Sequence, residues 1–314
     1  MARPPVATGI ADFVEHSPWL PYVALALSMS FLGGSVVLGR AIRADIPPMG
    51  LVFWRNLLAL LIILPLVTPL LRRQLALLMR HWKLMLLIGF TNSISGQALL
   101  LVALHESTAV TAGLINATGP AITVLISWLL LRDTIVWKQG LGLVVALVGV
   151  AFIVVRGDLS VLLGLELVLS DFWVQITAVS YATGGVLIKR ASPELNPFVL
   201  FVGQTLAGLL LIGPFYAGEI LLTDARIEFN SLTIATVLYY AIFSSVLALS
   251  FLIYGIKRIG PNRASAFYYV IPVLTGVMAI AFLSEVFELY HAVGIVLVFG
   301  GVYLASEMRS ARSS

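Results

Sequence analysis

Of 314 residues, 60% are hydrophobic and 11% charged, with a net charge of +4 and a mean hydropathy of +1.03. Soluble domains carry roughly 25% charged residues, so a soluble fold of this length is excluded and a polytopic membrane protein is implied. The chain has no cysteine, which excludes disulfides and thiolate chemistry.

The first 18 residues contain Arg3, Asp12, Glu15 and His16 and no long apolar run, so they read as a short polar tail and not as a cleaved signal peptide. Beyond it, apolar stretches of about 20 residues, the length that spans a bilayer, predict helices near 19–40, 47–70, 83–104, 108–131, 138–156, 162–188, 197–217, 231–256, 262–283 and 289–307. The expectation is an all-α membrane protein of ten helices. Its connections are short, and the longest, around 218–230, has no room for a soluble domain.

Helix 2 carries Arg55, about eight residues in. It either binds a carboxylate bidentately or acts as a structural anchor that snorkels or meets a carbonyl. Helix 3 carries TNSISGQ at 91–97, where α-helical spacing puts Asn92, Gly96 and Leu100 on one face with Ser93 and Gln97 beside it. Such a stripe avoids lipid. Asn92 and Gln97 are candidates for binding a zwitterion, the alternative being hydrogen bonds between helices. His105 and Glu106 read as loop residues.

Helix 4 holds Pro120 and helix 9 holds Pro272. A proline inside a helix frees the carbonyl four residues back, here those of Asn116 and Tyr268. Both prolines are expected to kink helices that line a cavity and to flex during gating, against the alternative of static kinks.

Helix 6 carries Asp171, Trp173, Gln175, Tyr181 and Thr183. An acid within a span is a functional candidate by default. Asp171 either attracts an ammonium or carries a coupling proton, or it is interfacial. Trp173 is either a substrate contact or a belt aromatic, and Tyr181 lies deeper. Tyr239, Tyr240, Phe243, Phe267, Tyr268 and Tyr269 are dense in helices 8 and 9. Tyr239 and Tyr268 are candidates for stacking on an aromatic substrate.

Loop charges set the orientation. With the N-terminus inside, the inner segments hold Arg3; Arg72, Arg73, Arg80 and Lys83; Arg132 and Lys138; Lys189 and Arg190; Lys257, Arg258 and Arg263; Arg309 and Arg312, most of the 19 basic residues. Arg40, Arg43, Arg156 and Arg226 fall outside. The positive-inside rule then places both termini in the cytoplasm.

Residues 112–150 and 264–302 align at an offset of 152. Ala112 meets Ala264, Pro120 meets Pro272, Asp133 meets Glu285, Gly142 meets Gly294 and Gly149 meets Gly301. The chain reads as a duplication, 1–157 and 158–314. An odd five spans per half inverts one half relative to the other, and loop 2–3 is basic where loop 7–8 carries Glu219, Asp224 and Glu228. Inverted repeats point to a transporter with its site at the repeat interface.

WRNLLALLIILP at 54–65, QTLAGLLLIGP at 204–214 and the duplicated proline and glycine stretch resemble the EamA-type branch of the drug/metabolite transporter superfamily across nearly the whole chain. Within that branch the chain is most similar to YddG-type exporters of aromatic amino acids. One departure is that Arg132 precedes Asp133 where family members close helix 4 with an acid. A second is that Arg55 has Gln204 as its repeat counterpart. The resemblance implies a secondary exporter of amino acids, aromatic ones preferred, in a bacterial inner membrane, with helices 1, 3, 4, 6, 8 and 9 around a central cavity. A drug or nucleoside exporter on the same fold is the alternative.

The HExxH, Walker A and GxSxG motifs are absent. The reading is therefore not an enzyme. It implies no cofactor and no metal, and its partners are a small-molecule substrate and the bilayer, with no nucleic acid and no obligate protein partner evident.

Overall fold

The computed structural model describes residues 17–42, 45–104, 107, 109–134, 136–165, 168–223, 226–228, 230–274, 277 and 288–306. The N-terminal tail, Arg43, His105, Glu106, Asp224, Glu285, Arg309, Arg312 and most of the second half of expected helix 9 lie outside them. All regular structure among the described residues is helical.

The helices are α1 (Leu20–Ala41), α2 (Pro48–Arg80), α3 (Trp82–Ala103), α4 (Thr111–Leu131), α5 (Trp137–Val154), α6 (Leu169–Arg190), α7 (Pro197–Leu222), α8 (Ser231–Ile259), α9 (beginning at Pro261–Ala266) and α10 (Leu289–Ser306). Six of them, α2, α3, α4, α5, α7 and α8, are long and apolar enough to cross a membrane by length and composition. In α1 and α10 the apolar stretches are shorter, Leu20–Ser35 and Leu289–Ala305.

Local chemistry sets the ends. Pro48 and Pro197 occupy first turns, where their missing N–H has no partner to lose. Asn196 Oδ1 accepts from Phe198 N–H at 2.9 Å and Asn230 Oδ1 from Thr233 N–H at 2.8 Å, capping α7 and α8. Arg132, at φ 55°, turns the chain out of α4, and Gly260, at φ 86°, ends α8. Asp133 folds back, its Oδ2 accepting from Ser127 Oγ at 2.6 Å.

Three expected bounds are corrected. Helix α2 does not end near residue 70 but runs to Arg80, so Arg72, Arg73 and Arg80 are helical. Residues 70–80 are rich in Leu, Arg, Gln and Ala, strong helix formers. The extension is tied down by Gln74, which donates to Glu194 O at 2.9 Å and accepts from Asn196 N–H at 2.9 Å. Helix α7 runs to Leu222, which puts Glu219 on the helix. Its carboxylate accepts from the Met49 and Gly50 N–H groups at 3.2 and 3.0 Å and so caps α2. Helix α6 starts at Leu169, not 162, because a single turn, Ser160–Leu163, stops at Gly164.

Packing puts α2 against α7, α1 against α8, α6 against α3 and α4, and α5 against α10. The last pair is the closest. Gly142 faces Gly301 and Ala305, and Gly149 faces Gly294, Leu297 and Val298, in each case with no room for a Cβ. As one residue number rises the other falls, so the two helices run antiparallel. Small residues that let backbones approach are the usual glue between helices in lipid, where the hydrophobic effect is weak. Other glycines seat side chains across helices: Gly255 receives Leu25, and Gly203 receives Leu78 and Met85.

Candidate functional site

Four helices depart from α geometry. In α3, Phe90–Ala98 is wound as a π-helix, and in α8 so is Tyr240–Leu247. In α4 the helix breaks between Asn116 and Gly119, immediately before Pro120. In α9 a 3₁₀ turn, Phe267–Tyr269, stands before Pro272. Shifted back by 152, that turn falls on 115–117, at the break in α4. Such segments widen the turn or leave carbonyls without helical partners, and they concentrate at functional sites.

Local hydrogen bonds hold the break in α4. Thr118 N–H and Oγ both donate to Ile115 O, at 3.0 and 2.7 Å, and Ala117 N–H donates to Gly113 O at 3.0 Å. The π segment of α8 is clasped to α1 by Ser28 Oγ to Ala248 O at 2.7 Å, Ser35 Oγ to Ser244 Oγ at 3.0 Å and Tyr240 Oη to Ser35 O at 2.6 Å. The π segment of α3 is held differently. Asn92 and Thr91 press on Gly184 of α6, Asn56 Nδ2 donates to Ser93 Oγ at 3.2 Å, and Gly96 leaves room for the ring of Tyr181.

These elements bring Arg55 of α2 together with Tyr181 of α6 and Tyr240 of α8. Both phenols are near enough to the guanidinium to interact with it electrostatically. Tyr181 also lies within electrostatic reach of Tyr268 of α9. Tyr181 and Tyr268 lie deep within the bundle, yet each keeps accessible surface. We take surface at that depth as the lining of a space between the helices. Arg55 is 7% exposed, and its Nε is buried without a hydrogen-bond partner. A buried polar nitrogen without a partner is uncommon in folded proteins and marks either a wet or a ligand-facing site.

The other candidates divide. Asn92 is part-buried and donates from Nδ2 to Gln204 Oε1 at 3.3 Å, so its amide joins α3 to α7 beside the cluster. Gln97 of α3 and Asn116 of α4 are part-buried on interrupted helices. The α-helical spacing that grouped Asn92, Gly96 and Leu100 does not hold, because π winding adds a residue to the turn. Gly96 is buried while Leu100 is only partly so. Tyr239 is spent on α1: its hydroxyl donates to Phe31 O at 3.2 Å, and its ring stacks on Phe243 at 5.2 Å between centroids. Trp173 is 39% exposed beside the exposed Phe172, on the outside of the bundle, which fits the belt reading.

Asp171 is 4% exposed and sits in the first turn of α6. It accepts from Ser107 Oγ at 2.5 Å and from Val168 N–H at 2.8 Å. This is a helix-start cap, where a negative charge also meets the positive end of the helix. Asp171→Asn is expected to lower stability by about 1–3 kcal/mol and to leave the pH dependence of transport unchanged. A detergent melt and a pH series in liposomes measure the two.

Sequence reasoning missed the burial of Tyr240 beside Arg55 and the tie between Asn92 and Gln204. Among the described residues no group of three or more His, Asp or Glu side chains is placed to hold a metal ion. The open groove around Trp128, Leu129, Arg132, Asp133 and Thr134 lies at the C-terminal end of α4 and contains none of these groups.

Comparison with known proteins gives a consistent answer. The model of the EamA-like transporter family matches twice, over residues 19–155 and 168–307. The chain is 27% identical over 283 residues to the uncharacterized transporter YetK of Bacillus subtilis (strain 168), covering 90% of this chain and 86% of that one. It is 23% identical over 286 residues to an uncharacterized transporter of Archaeoglobus fulgidus, covering 91% and 96%. A protein crystal structure superposes with a TM-score of 0.71 over 91% of this chain and 94% of that one, at 18% identity, a likeness of fold alone. With one family model matching each half of a multi-pass helical membrane protein, the chain belongs to the EamA-like transporter family.

Proposed function

We propose that this protein is a secondary exporter of amino acids and related amphipathic metabolites, aromatic ones preferred, working by alternating access in a bacterial inner membrane. In this reading both termini are cytoplasmic. Ten helices form two inverted halves, 1–157 and 158–314, which rock about a central cavity.

One observation carries the substrate reading. Tyr181 and Tyr268, each deep in the bundle and partly accessible, stand with the buried Tyr240 near a buried guanidinium. Tyrosine rings offer faces and edges for a flat apolar group, and a few polar groups then orient it. The alternating-access reading is supported by the antiparallel glycine contact of α5 with α10 and by the paired interruptions in α4 and α9. With Asp171 committed to its cap, Pro120 and Pro272 are the hinge candidates and Arg55 is the substrate-charge candidate.

The test is uptake into proteoliposomes of labelled tryptophan, tyrosine, phenylalanine, leucine and threonine, beside a nucleoside and a cationic dye, with and without a pH gradient. Aromatic amino acids are expected to move at least severalfold faster than the rest. If the nucleoside or the dye moves and no amino acid does, the drug or nucleoside exporter takes its place.

A further inference from the structure

We infer that Arg55 is the docking point for a carboxylate carried by the substrate, and that this contact separates acids from their decarboxylated amines. The inference rests on the transporter reading above and adds the chemical group that the site recognises.

The warrant is an unbalanced charge. Taking a guanidinium out of water is costly unless an anion and hydrogen-bond acceptors replace the water. Arg55 is more than nine-tenths buried and makes no ion pair among the described residues, and its Nε is without a partner. The titratable groups that interact with it electrostatically are phenols, Tyr181 and Tyr240. The Tyr240 hydroxyl already donates to Ser35 O. A carbonyl or carboxylate that merely anchored the arginine would account for the Nε.

The contrast with the other half strengthens this. Gln204, the counterpart of Arg55, is 3% exposed, neutral and bonded to Asn92. A structural requirement common to both halves would have used the same device twice. Only the Arg55 side pairs a fixed positive charge with the interior surface of Tyr181 and Tyr268.

A guanidinium presents its N–H groups as a planar fork that matches the two oxygens of a carboxylate. An amphipathic acid would set its carboxylate on that fork and its apolar part against the tyrosine rings. Its charge would supply the partner that the protein leaves out. An amine of the same shape would bring a second positive charge into the same low-dielectric space, which is repulsive.

The experiment compares wild type, Arg55→Lys and Arg55→Gln. Each is purified and shown monodisperse before it is placed in liposomes loaded with tryptophan, tryptamine or leucine. Wild type is expected to favour tryptophan over tryptamine by tenfold or more. Arg55→Gln should erase that preference, and Arg55→Lys should keep part of it. In parallel, benzoate and phenyl phosphate are titrated into detergent-solubilised protein. Benzoate should raise the melting temperature of wild type and not of Arg55→Gln, a readout that survives if neither amino acid is transported. Equal handling of tryptophan and tryptamine by wild type overturns the inference. So does undiminished discrimination by Arg55→Gln, or stronger stabilisation by phenyl phosphate than by benzoate. Leucine moving as fast as tryptophan, with the same dependence on Arg55, would remove the aromatic preference and leave the carboxylate contact standing.

Discussion

Gly149→Leu is expected to yield little folded protein. A Cβ at this position would stand 2.8 Å from Leu297 Cβ, 2.8 Å from Val298 N and 3.0 Å from Gly294 O. Two of these three atoms belong to the backbone of α10, so no rotamer change relieves the contact. The helices must separate, and the neighbouring crossing of Gly142 with Gly301 opens with them. Overpacking of side chains costs about 1–3 kcal/mol and occasionally more; against backbone the upper end or beyond is expected. Gly300→Ala is the control, because a Cβ there meets nothing within 4 Å. It should be neutral or slightly stabilising through its higher helix propensity. Yield on size exclusion and melting temperature in detergent separate the two variants. A Gly149→Leu protein that melts with wild type would show that α5 and α10 do not hold the fold together.

The second large effect is functional. Pro120→Ala with Pro272→Ala is expected to lower the transport rate tenfold or more while the melting temperature holds or rises. Proline removes an N–H and clashes one turn back, and each helix leaves regular α geometry just before its proline. In α4 the helix is open between Asn116 and Gly119, with Thr118 turned onto Ile115 O, and α9 tightens into a 3₁₀ turn at Phe267–Tyr269. Alanine returns the N–H and lets each helix close into continuous α geometry, which is locally favourable. The cost falls on motion, since hinges are the few positions that absorb a change of φ and ψ. Each single variant should give a partial loss. A double variant that transports at the wild-type rate would remove both prolines from the mechanism.

The apolar stretches and the duplicated glycines were legible in the sequence because membrane spans and helix crossings are written in hydropathy and in residue size. Helix ends were less so. Residues 70–80 of α2 carry arginines that read as a loop, yet their helix propensity and the Gln74 ties keep them wound. The π segments were illegible, since nothing in TNSISGQ or YAIFSSVL announces an extra residue per turn. That loss spread to the face assignment around Asn92. Among the site candidates, Tyr181, Tyr268 and Arg55 converge because depth along a helix can be counted. Tyr239, Trp173 and Asp171 part from them because the direction of a side chain around the helix, and the local partner waiting for it, cannot be counted that way.

The crossing of α5 with α10 has one more meaning. Under the offset of 152, Gly142 corresponds to Gly294 and Gly149 to Gly301. In the structure Gly142 touches Gly301 and Gly149 touches Gly294. Each position meets the copy of the other, which is how a surface docks on itself. For an unduplicated half, one glycine substitution would have improved both sides of such a seam at once. In the proposed two-half architecture, joining the halves in one chain leaves each free to diverge, as Arg55 of α2 and its counterpart Gln204 of α7 illustrate.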